Sequence, residues 1–170
     1  MVLAAIVFLP MLIEATRARS NEARQRARGG VEAPNDVYAL MRVAYPAAFL
    51  AMIVEDAARG RPVSGTLAVG LAIFAAAKAL KWWAILTLGS SWTFRVIVVP
   101  GAPLVTSGPY RFVRHPNYVA VLGALAGVGL QAGAWLTGPI VTVGFGLLML
   151  RRIHVEDRAL SGRQPQYNDR

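Results

Sequence analysis

A short polar segment, residues 108–118, carries the side chains of this chain that are best suited to chemistry. They supply hydrogen-bond donors, positive charge and flat aromatic faces within nine consecutive residues. An apolar stretch follows at residues 119–150, so these groups lie at the border of a region that favours lipid. Charged groups there are costly unless they anchor a helix or bind a ligand. The side chains concerned are Tyr110, Arg111, Arg114, His115 and Tyr118.

A second polar cluster, residues 151–157, begins where the apolar stretch ends. It contains both signs of charge, with Arg151, Arg152 and His154 followed by Glu156 and Asp157. Two polar clusters on either side of one apolar hairpin predict a site at one face of a membrane. On the residues alone, binding a ligand and anchoring the helices at the lipid headgroups remain alternatives.

The composition favours a membrane protein and excludes several other classes. The chain has 170 residues, of which 55% are hydrophobic and 16% charged, and its mean hydropathy is +0.45. A chain of this composition is too apolar for an ordinary soluble domain. Cysteine is absent, which excludes a disulfide framework, a thiolate zinc site and a cysteine nucleophile. Two isolated histidines make a poor metal ligand set. We also find no phosphate-binding glycine loop and no Gly-x-Ser-x-Gly nucleophile elbow.

The pattern of apolar segments predicts an all-α, polytopic membrane protein that forms a single domain over residues 1–170. Residues 1–88 would form the N-terminal transmembrane helices, and residues 89–170 the loop, a helical hairpin and a cytoplasmic tail. The first segment is short and lacks the basic leader of a signal peptide. Residues 131–134 are too short a link for anything but an antiparallel hairpin. The five predicted segments are residues 1–13, 35–58, 66–88, 119–130 and 135–150.

Local features refine this prediction. Asn35 and Asp36 suit the start of the second helix, and Pro116 suits the first turn of the fourth. Lys78 and Lys81 lie one turn apart on the third helix, and we assign them to its cytoplasmic end. Glycines on the last two segments would let these two helices approach closely. These glycines are Gly123, Gly127, Gly144 and Gly146.

The distribution of positive charge predicts the orientation. With the N-terminus outside, all of the 18 lysines and arginines except Arg59 and Arg61 lie on the cytoplasmic side. Both polar clusters then lie on that side too. The net charge of +9 is explained by membrane topology and anionic headgroups, which argues against nucleic acid binding.

The two clusters also resemble a known family. Gly108-Pro-Tyr110, Arg114-His-Pro-Asn-Tyr118, the hairpin and the acidic pair before Leu160 are similar to the isoprenylcysteine carboxyl methyltransferases, and more distantly to phospholipid methyltransferases. Residues 82–105 resemble a bacterial branch linked to type III polyketide synthases, which methylates alkylpyrones or alkylresorcinols. Two features depart from the family pattern: Glu-Asp replaces its usual Glu-Glu, and its aromatic tail is reduced to Tyr167.

The resemblance implies an enzyme that uses S-adenosyl-L-methionine and releases S-adenosyl-L-homocysteine. Arg114 or Arg111 would hold the cofactor carboxylate, because a guanidinium matches its geometry. Glu156 and Asp157 would accept hydrogen bonds from the cofactor ammonium or ribose. The remaining candidates, which would hydrogen-bond the cofactor or flank its adenine and sulfonium, are Tyr110, His115, Pro116 and Tyr118.

The expected reaction is methyl transfer to an oxygen of a lipophilic acceptor, such as a prenylcysteine, alkylpyrone or alkylresorcinol. An arginine would orient an anionic oxygen, and a resorcinol would also need a base, for which His115 and His154 are candidates. Trp82 and Trp92 either line the acceptor site or belong to an interfacial aromatic belt. The predicted catalytic residues are Arg114, His115 and Arg158, and the predicted acceptor-binding residues are Trp82, Trp92, Arg151 and Arg152.

The expected location is the bacterial inner membrane, with the site facing the cytoplasm and lipids as neighbours. Three alternatives remain: a phospholipid N-methyltransferase, a nicotinamide enzyme resembling sterol reductases, and a non-enzymatic membrane protein such as a small transporter. A transporter would typically carry charges near the bilayer centre, and the sequence shows no obvious ones.

Overall fold

The computed structural model describes residues 2–60 and 65–161 and contains five α-helices. Arg61 and Tyr167, which the sequence analysis used, lie outside the described residues. Two short strands, β1 (Val31–Glu32) and β2 (Ile97–Val98), pair antiparallel and were not predicted. The predicted helical architecture is confirmed. The helices are α1 (Val2–Ala27), α2 (Tyr38–Arg59), α3 (Thr66–Leu88), α4 (Pro116–Gln131) and α5 (Thr137–Ser161).

Three of the described helices are long and apolar enough to cross a membrane: α2, α3 and α5. Helix α4 has only 16 residues, and the second half of α1 is rich in charge. The predicted number of five spans therefore stays a prediction.

Helix α1 is twice as long as the predicted segment of residues 1–13. Its polar half continues because one face of it is buried, at Glu14, Ala18, Asn21 and Gln25. The Asn21 side chain donates to the carbonyl oxygens of Gly89 and Trp92, at 2.9 and 2.8 Å. The helical spacing of buried residues thus continues beyond the apolar segment. In this part of α1, amide side chains make the contacts with the rest of the protein.

Helix α2 begins two residues after the predicted cap. The Tyr38 amide donates to Asp36 Oδ1 at 3.0 Å, so Asp36 does satisfy an amide at the start of the helix. Asn35 has φ 61°, in the left-handed region that asparagine tolerates better than most residues. The chain turns at this point into the helix.

Helix α5 extends well beyond the predicted end at residue 150. Arg152 and Glu156, one turn apart, both bind Tyr118 of α4, so the polar turns are held as helix. The expected end was placed where the apolar residues stop. Polar contacts on one face continue the helix past that point.

The prediction that these glycines bring α4 and α5 together is wrong, because the closely packed ones on α4 face α3. Gly127 packs against α3: a Cβ there would lie 2.7 Å from Phe74 N and 2.9 Å from Gly70 O. Gly123 also faces α3, whereas a Cβ at Gly144 would meet nothing within 4 Å and one at Gly146 only an ordinary contact. The close approach of α4 to α5 occurs instead at Gly129 and Gly138.

Charges lie inside the bundle, contrary to the expectation from sequence. Glu14 of α1 is 1% exposed and contacts both Lys78 and Lys81 of α3. Lys81 is 3% exposed, so it is not a solvated residue at a helix end. The sequence did not suggest this cluster because Glu14 is more than 60 residues away from both lysines.

The apolar core packs α2, α4 and α5 together, with Phe49, Met52, Leu125 and Met149 all almost fully buried. At the end of the bundle away from the polar clusters, Glu55 accepts from the Thr137 amide at 2.8 Å and its hydroxyl at 2.6 Å. This carboxylate satisfies amides at the start of α5. The start of α5 is therefore fixed there, and its polar C-terminal turns project to the other end.

Candidate functional site

A buried ion pair joins the start of α2 to α5. Arg152 Nη1 donates to Asp36 Oδ1 at 2.7 Å, and Arg152 Nη2 donates to the carbonyl oxygen of Phe94. Asp36 Oδ2 also accepts from the Val96 amide at 2.9 Å. The two side chains are 7% and 4% exposed. This pair fixes the last turns of α5 against the loop that precedes β2.

Arg152 of α5 also forms a second contact, with Tyr118 of α4. Arg152 Nε donates to Tyr118 Oη at 3.0 Å, and that hydroxyl donates to Glu156 Oε2 at 2.6 Å. Tyr118 lies in the first turn of α4, which begins at Pro116. A chain of hydrogen bonds from Asp36 through Arg152 and Tyr118 thus positions the Glu156 carboxylate.

His115 lies beside the predicted acidic pair. Its Nδ1 is 3.9 Å from Glu156 Oε2, and its Nε2 is 3.3 Å from Asp157 Oδ1. The latter contact lacks the alignment of a hydrogen bond, so Nε2 has no hydrogen-bond partner among the described residues. The His115 and Tyr118 rings lie 5.5 Å apart. One face of the site therefore combines two carboxylates with two flat rings.

Tyr110 lies on a short 3-10 turn, Gly108–Arg111, whose Pro109 is buried. Burial raises the pKa of Tyr110 above its usual value, and the negative charge of Glu156 adds to the shift. Tyr110 therefore keeps its proton at neutral pH and can donate a hydrogen bond.

These groups line a cavity of about 1090 Å³, slightly above the roughly 300–1000 Å³ of ligand pockets. Val121, Phe145 and Met149 add an apolar wall, and the exposed Leu12 and Leu104 lie at its edge. The groups around Glu156 and His115 form a polar end of this cavity, and these apolar side chains form part of its wall. The predicted site residues that line it are Trp92, Tyr110, Arg114, His115, Tyr118, Arg152, Glu156, Asp157 and Arg158.

Four predicted site residues lie outside this lining. Arg111 is exposed, with its guanidinium 5.9 Å from the Phe112 ring, and Arg151 is also exposed. Trp82 packs beside Trp92 in a small apolar cluster, and Pro116 is buried in the first turn of α4. His154 is exposed and is absent from the lining as well.

Three buried polar atoms of the lining have no hydrogen-bond partner among the described residues: Trp92 Nε1, His115 Nε2 and Asn117 Oδ1. Buried polar atoms are nearly always paired, so these three are available to ordered water or to a ligand. The sequence analysis did not select Asn117 or Asp36. Asn117 lies inside the Arg-His-Pro-Asn-Tyr motif, which was a usable signal. Asp36 offered none beyond its suitability as a cap.

Comparisons with known proteins show what this chain is similar to. Residues 68–162 match the family model described as isoprenylcysteine carboxyl methyltransferase (ICMT) family. The chain is 30% identical over 159 residues to the uncharacterized protein YpbQ of Bacillus subtilis (strain 168), covering 93% of this chain and 94% of the relative. It is 28% identical over 136 residues to an uncharacterized protein of Haemophilus influenzae, covering 79% of each chain.

A shorter match, 36% identical over 64 residues, links 38% of this chain to 30% of the cobalt-zinc-cadmium resistance protein CzcN of Cupriavidus metallidurans. No solved structure matches the chain significantly. The family match begins in the first turn of α3 and covers the rest of that helix, the motif segment, α4 and α5. The chain therefore belongs to the isoprenylcysteine carboxyl methyltransferase family, and is a membrane methyltransferase.

Proposed function

We propose that this protein uses S-adenosylmethionine to methylate an oxygen of a lipophilic acceptor that enters from the membrane. The observation that carries this proposal is the cavity, whose polar end holds two carboxylates and polar atoms without a hydrogen-bond partner among the described residues, and whose wall is partly apolar. Family membership supports the cofactor, since methyltransferases of this family generally use S-adenosylmethionine.

The residues at the polar end fit the chemical groups of this cofactor. The carboxylates of Glu156 and Asp157 suit its ammonium and ribose hydroxyls. Arg114 is exposed at the cavity edge without an ion pair among the described residues, so its guanidinium is available to the cofactor carboxylate. The His115 and Tyr118 rings offer flat faces to a cation or to adenine, and such contacts contribute roughly 0.5–2 kcal/mol.

When bound, S-adenosylmethionine supplies an electrophilic methyl group on a positively charged sulfur. The residues of the chain orient the acceptor oxygen towards that methyl group and exclude water, and such alignment is the main source of rate for a displacement of this kind. An anionic oxygen needs no general base. A neutral phenol would need one, and His115 is the candidate that lines the cavity.

The apolar walls suit a long alkyl or prenyl chain. Leu12 and Leu104 are 64% and 56% exposed yet line the cavity, so the cavity meets the outer surface at apolar residues. An acceptor dissolved in lipid would enter there, while the cofactor arrives from the cytoplasm. We propose alkylpyrones, alkylresorcinols and prenylated cysteines as acceptors, the first two with a type III polyketide synthase as their source.

Binding of S-adenosylhomocysteine to the purified protein in detergent tests this proposal. We expect binding by calorimetry, and a loss of about tenfold or more in Glu156→Gln and Arg114→Ala, since each removes a charge-assisted hydrogen bond. Transfer of a labelled methyl group to a panel of the three acceptor types then identifies the acceptor.

Three outcomes would contradict the proposal. Unchanged affinity in both variants would refute the site. Binding of NADPH in place of S-adenosylhomocysteine would favour the nicotinamide alternative, and methylation of phospholipid amines alone would favour the N-methyltransferase.

A further inference from the structure

A cluster of three ionisable side chains lies inside the bundle, between α1 and α3. Lys78 Nζ is 2.9 Å from Glu14 Oε1, and Lys81 Nζ is 2.7 Å from Glu14 Oε2. The side chains of Glu14 and Lys81 are 1% and 4% exposed, and that of Lys78 is 14% exposed. Glu14 lies outside the residues 68–162 that match the family model, whereas Lys78 and Lys81 lie within them.

The cluster borders the same cavity as the candidate cofactor site. Glu14 and Lys81 line the cavity together with Tyr118 and Glu156, whereas Lys78 lies behind them and does not line it. Lys81 lies seven residues before Leu88, the end of α3, which places it about 10 Å along the helix axis from that end. The cluster thus lies deeper in the bundle than the end of α3, in the wall of the cavity.

The charges of the cluster do not balance. When both lysines carry their protons, one carboxylate faces two ammonium groups, which leaves a surplus of one positive charge. Lys81 Nζ lies 5.5 Å from the centroid of the Tyr45 ring, and that ring packs against Phe49 and Phe145, so the surroundings are mainly apolar. A buried surplus charge is costly unless a counter-ion pairs with it.

We propose that Lys81, backed by Glu14 and Lys78, binds the anionic head of the methyl acceptor. This inference rests on the proposed function and narrows it to acidic amphiphiles, with a carboxylate, enolate or phenolate head and an apolar chain. A surplus positive charge in the cavity repels the ammonium head of an amine acceptor. It therefore favours methylation of oxygen over methylation of a phospholipid amine.

The charge of the acceptor also explains how the product leaves. The acceptor oxygen uses one electron pair to form the new bond to the methyl carbon, and the carbon–sulfur bond breaks with its electrons returning to sulfur. No proton is released. The anionic head becomes a neutral ester or ether, which loses its attraction to Lys81. The cluster thus distinguishes the acceptor from its methylated product.

A pair of fluorescent amphiphiles tests this inference without requiring methyl transfer. Dansyl-labelled undecanoic acid carries the anionic head, and its methyl ester is the neutral match. We expect the wild-type protein to bind the acid more tightly than the ester. Lys81→Met should weaken binding of the acid by about ten- to hundredfold and leave the ester unchanged, since one charged hydrogen bond is lost. Lys81→Arg, which keeps the charge, should retain the preference for the acid.

Several results would overturn the inference. These are equal affinity of the wild-type protein for the two probes, an unchanged affinity of Lys81→Met for the acid, and an equal loss for both. Lys78→Met serves where Lys81→Met fails to fold, because it leaves a neutral Glu14–Lys81 pair and should cause the same selective loss. Selective binding of the acid by a protein that does not bind S-adenosylhomocysteine would refute the proposed function while supporting the anion site.

Discussion

At the scale of single residues, Tyr118 is the centre of the site. Its hydroxyl accepts a hydrogen bond from Arg152 and donates one to Glu156. Tyr118 therefore connects a buried arginine to a carboxylate that lines the cavity. The Arg152 guanidinium, predicted to orient the acceptor, has Nε, Nη1 and Nη2 each donating to groups of the protein. Arg152 lines the cavity, but its donors are used by the protein, so we interpret it as a positioning residue.

The two histidines provide a matched pair for testing the site. His115 lines the cavity and its Nε2 has no hydrogen-bond partner among the described residues, whereas His154 is exposed on α5. We expect His115→Ala to weaken binding of S-adenosylhomocysteine by about tenfold, the value of one good hydrogen bond. His154→Ala should leave the affinity unchanged in the same calorimetric measurement. Equal effects of the two substitutions would show that the imidazole of His115 does not contact the ligand.

At the scale of helices, small residues decide how closely α4 packs against α3. Gly127→Ala would place a Cβ against backbone atoms of Phe74 and Gly70 that cannot move aside. We expect a loss of about 1–3 kcal/mol in stability, as overpacking typically causes. Thermal unfolding in one detergent measures this loss. Gly144→Ala is the control, because its Cβ meets nothing within 4 Å and alanine favours a helix. Equal melting temperatures of the two variants would contradict this packing.

Glu32 of β1 forms ion pairs with Arg26 of α1 and with Arg95, and we expect their contribution to stability to depend on pH. Partial burial alone would raise the pKa of Glu32, but hydrogen bonds from Arg26 and Arg95 outweigh it and hold that pKa below the usual 4.5. A carboxyl with a lowered pKa stabilises the fold above pH 4.5 and loses this contribution as the pH falls through its folded-state pKa. These partly exposed pairs are worth less than about 1 kcal/mol each.

The difference in melting temperature between the wild-type protein and Glu32→Gln therefore changes with pH. We expect the variant to melt below the wild type at neutral pH and the two curves to converge in acid. A difference that stays constant from neutral pH to pH 3, roughly one unit below the unperturbed carboxyl pKa, would exclude ionisation of Glu32 as its origin.

At the scale of the whole molecule, the helices place the polar clusters at one end of the bundle. The Asp36–Arg152 and Tyr118–Glu156 contacts lie at this end, and the Glu55–Thr137 contact lies at the other. The distribution of lysine and arginine predicts that the first end faces the cytoplasm.

Single cysteines test this orientation, since the natural chain has none. Ala58→Cys and His154→Cys both replace exposed residues, at opposite ends of the bundle. In whole cells, we expect a membrane-impermeant maleimide to label Ala58→Cys only, and to label His154→Cys only after the cells are lysed. The reverse pattern would invert the predicted topology.

The sequence by itself determined the class of the protein and the core of its candidate site. Composition, the run of apolar segments and the Arg-His-Pro-Asn-Tyr motif are local properties, and local properties can be read along the chain. They identified the helical architecture, the family and the groups now found together, including Tyr118, His115 and Glu156.

Only the tertiary structure decided which distant residues meet. Asp36 and Arg152, and likewise Glu14 and Lys81, are more than 60 residues apart and pair because separate helices pack side by side. The glycines were assigned to the wrong helix for the same reason, since a glycine marks a close approach without identifying the helix that approaches. Periodicity determines the face of a helix, whereas the neighbour of that face depends on the packing of the whole bundle.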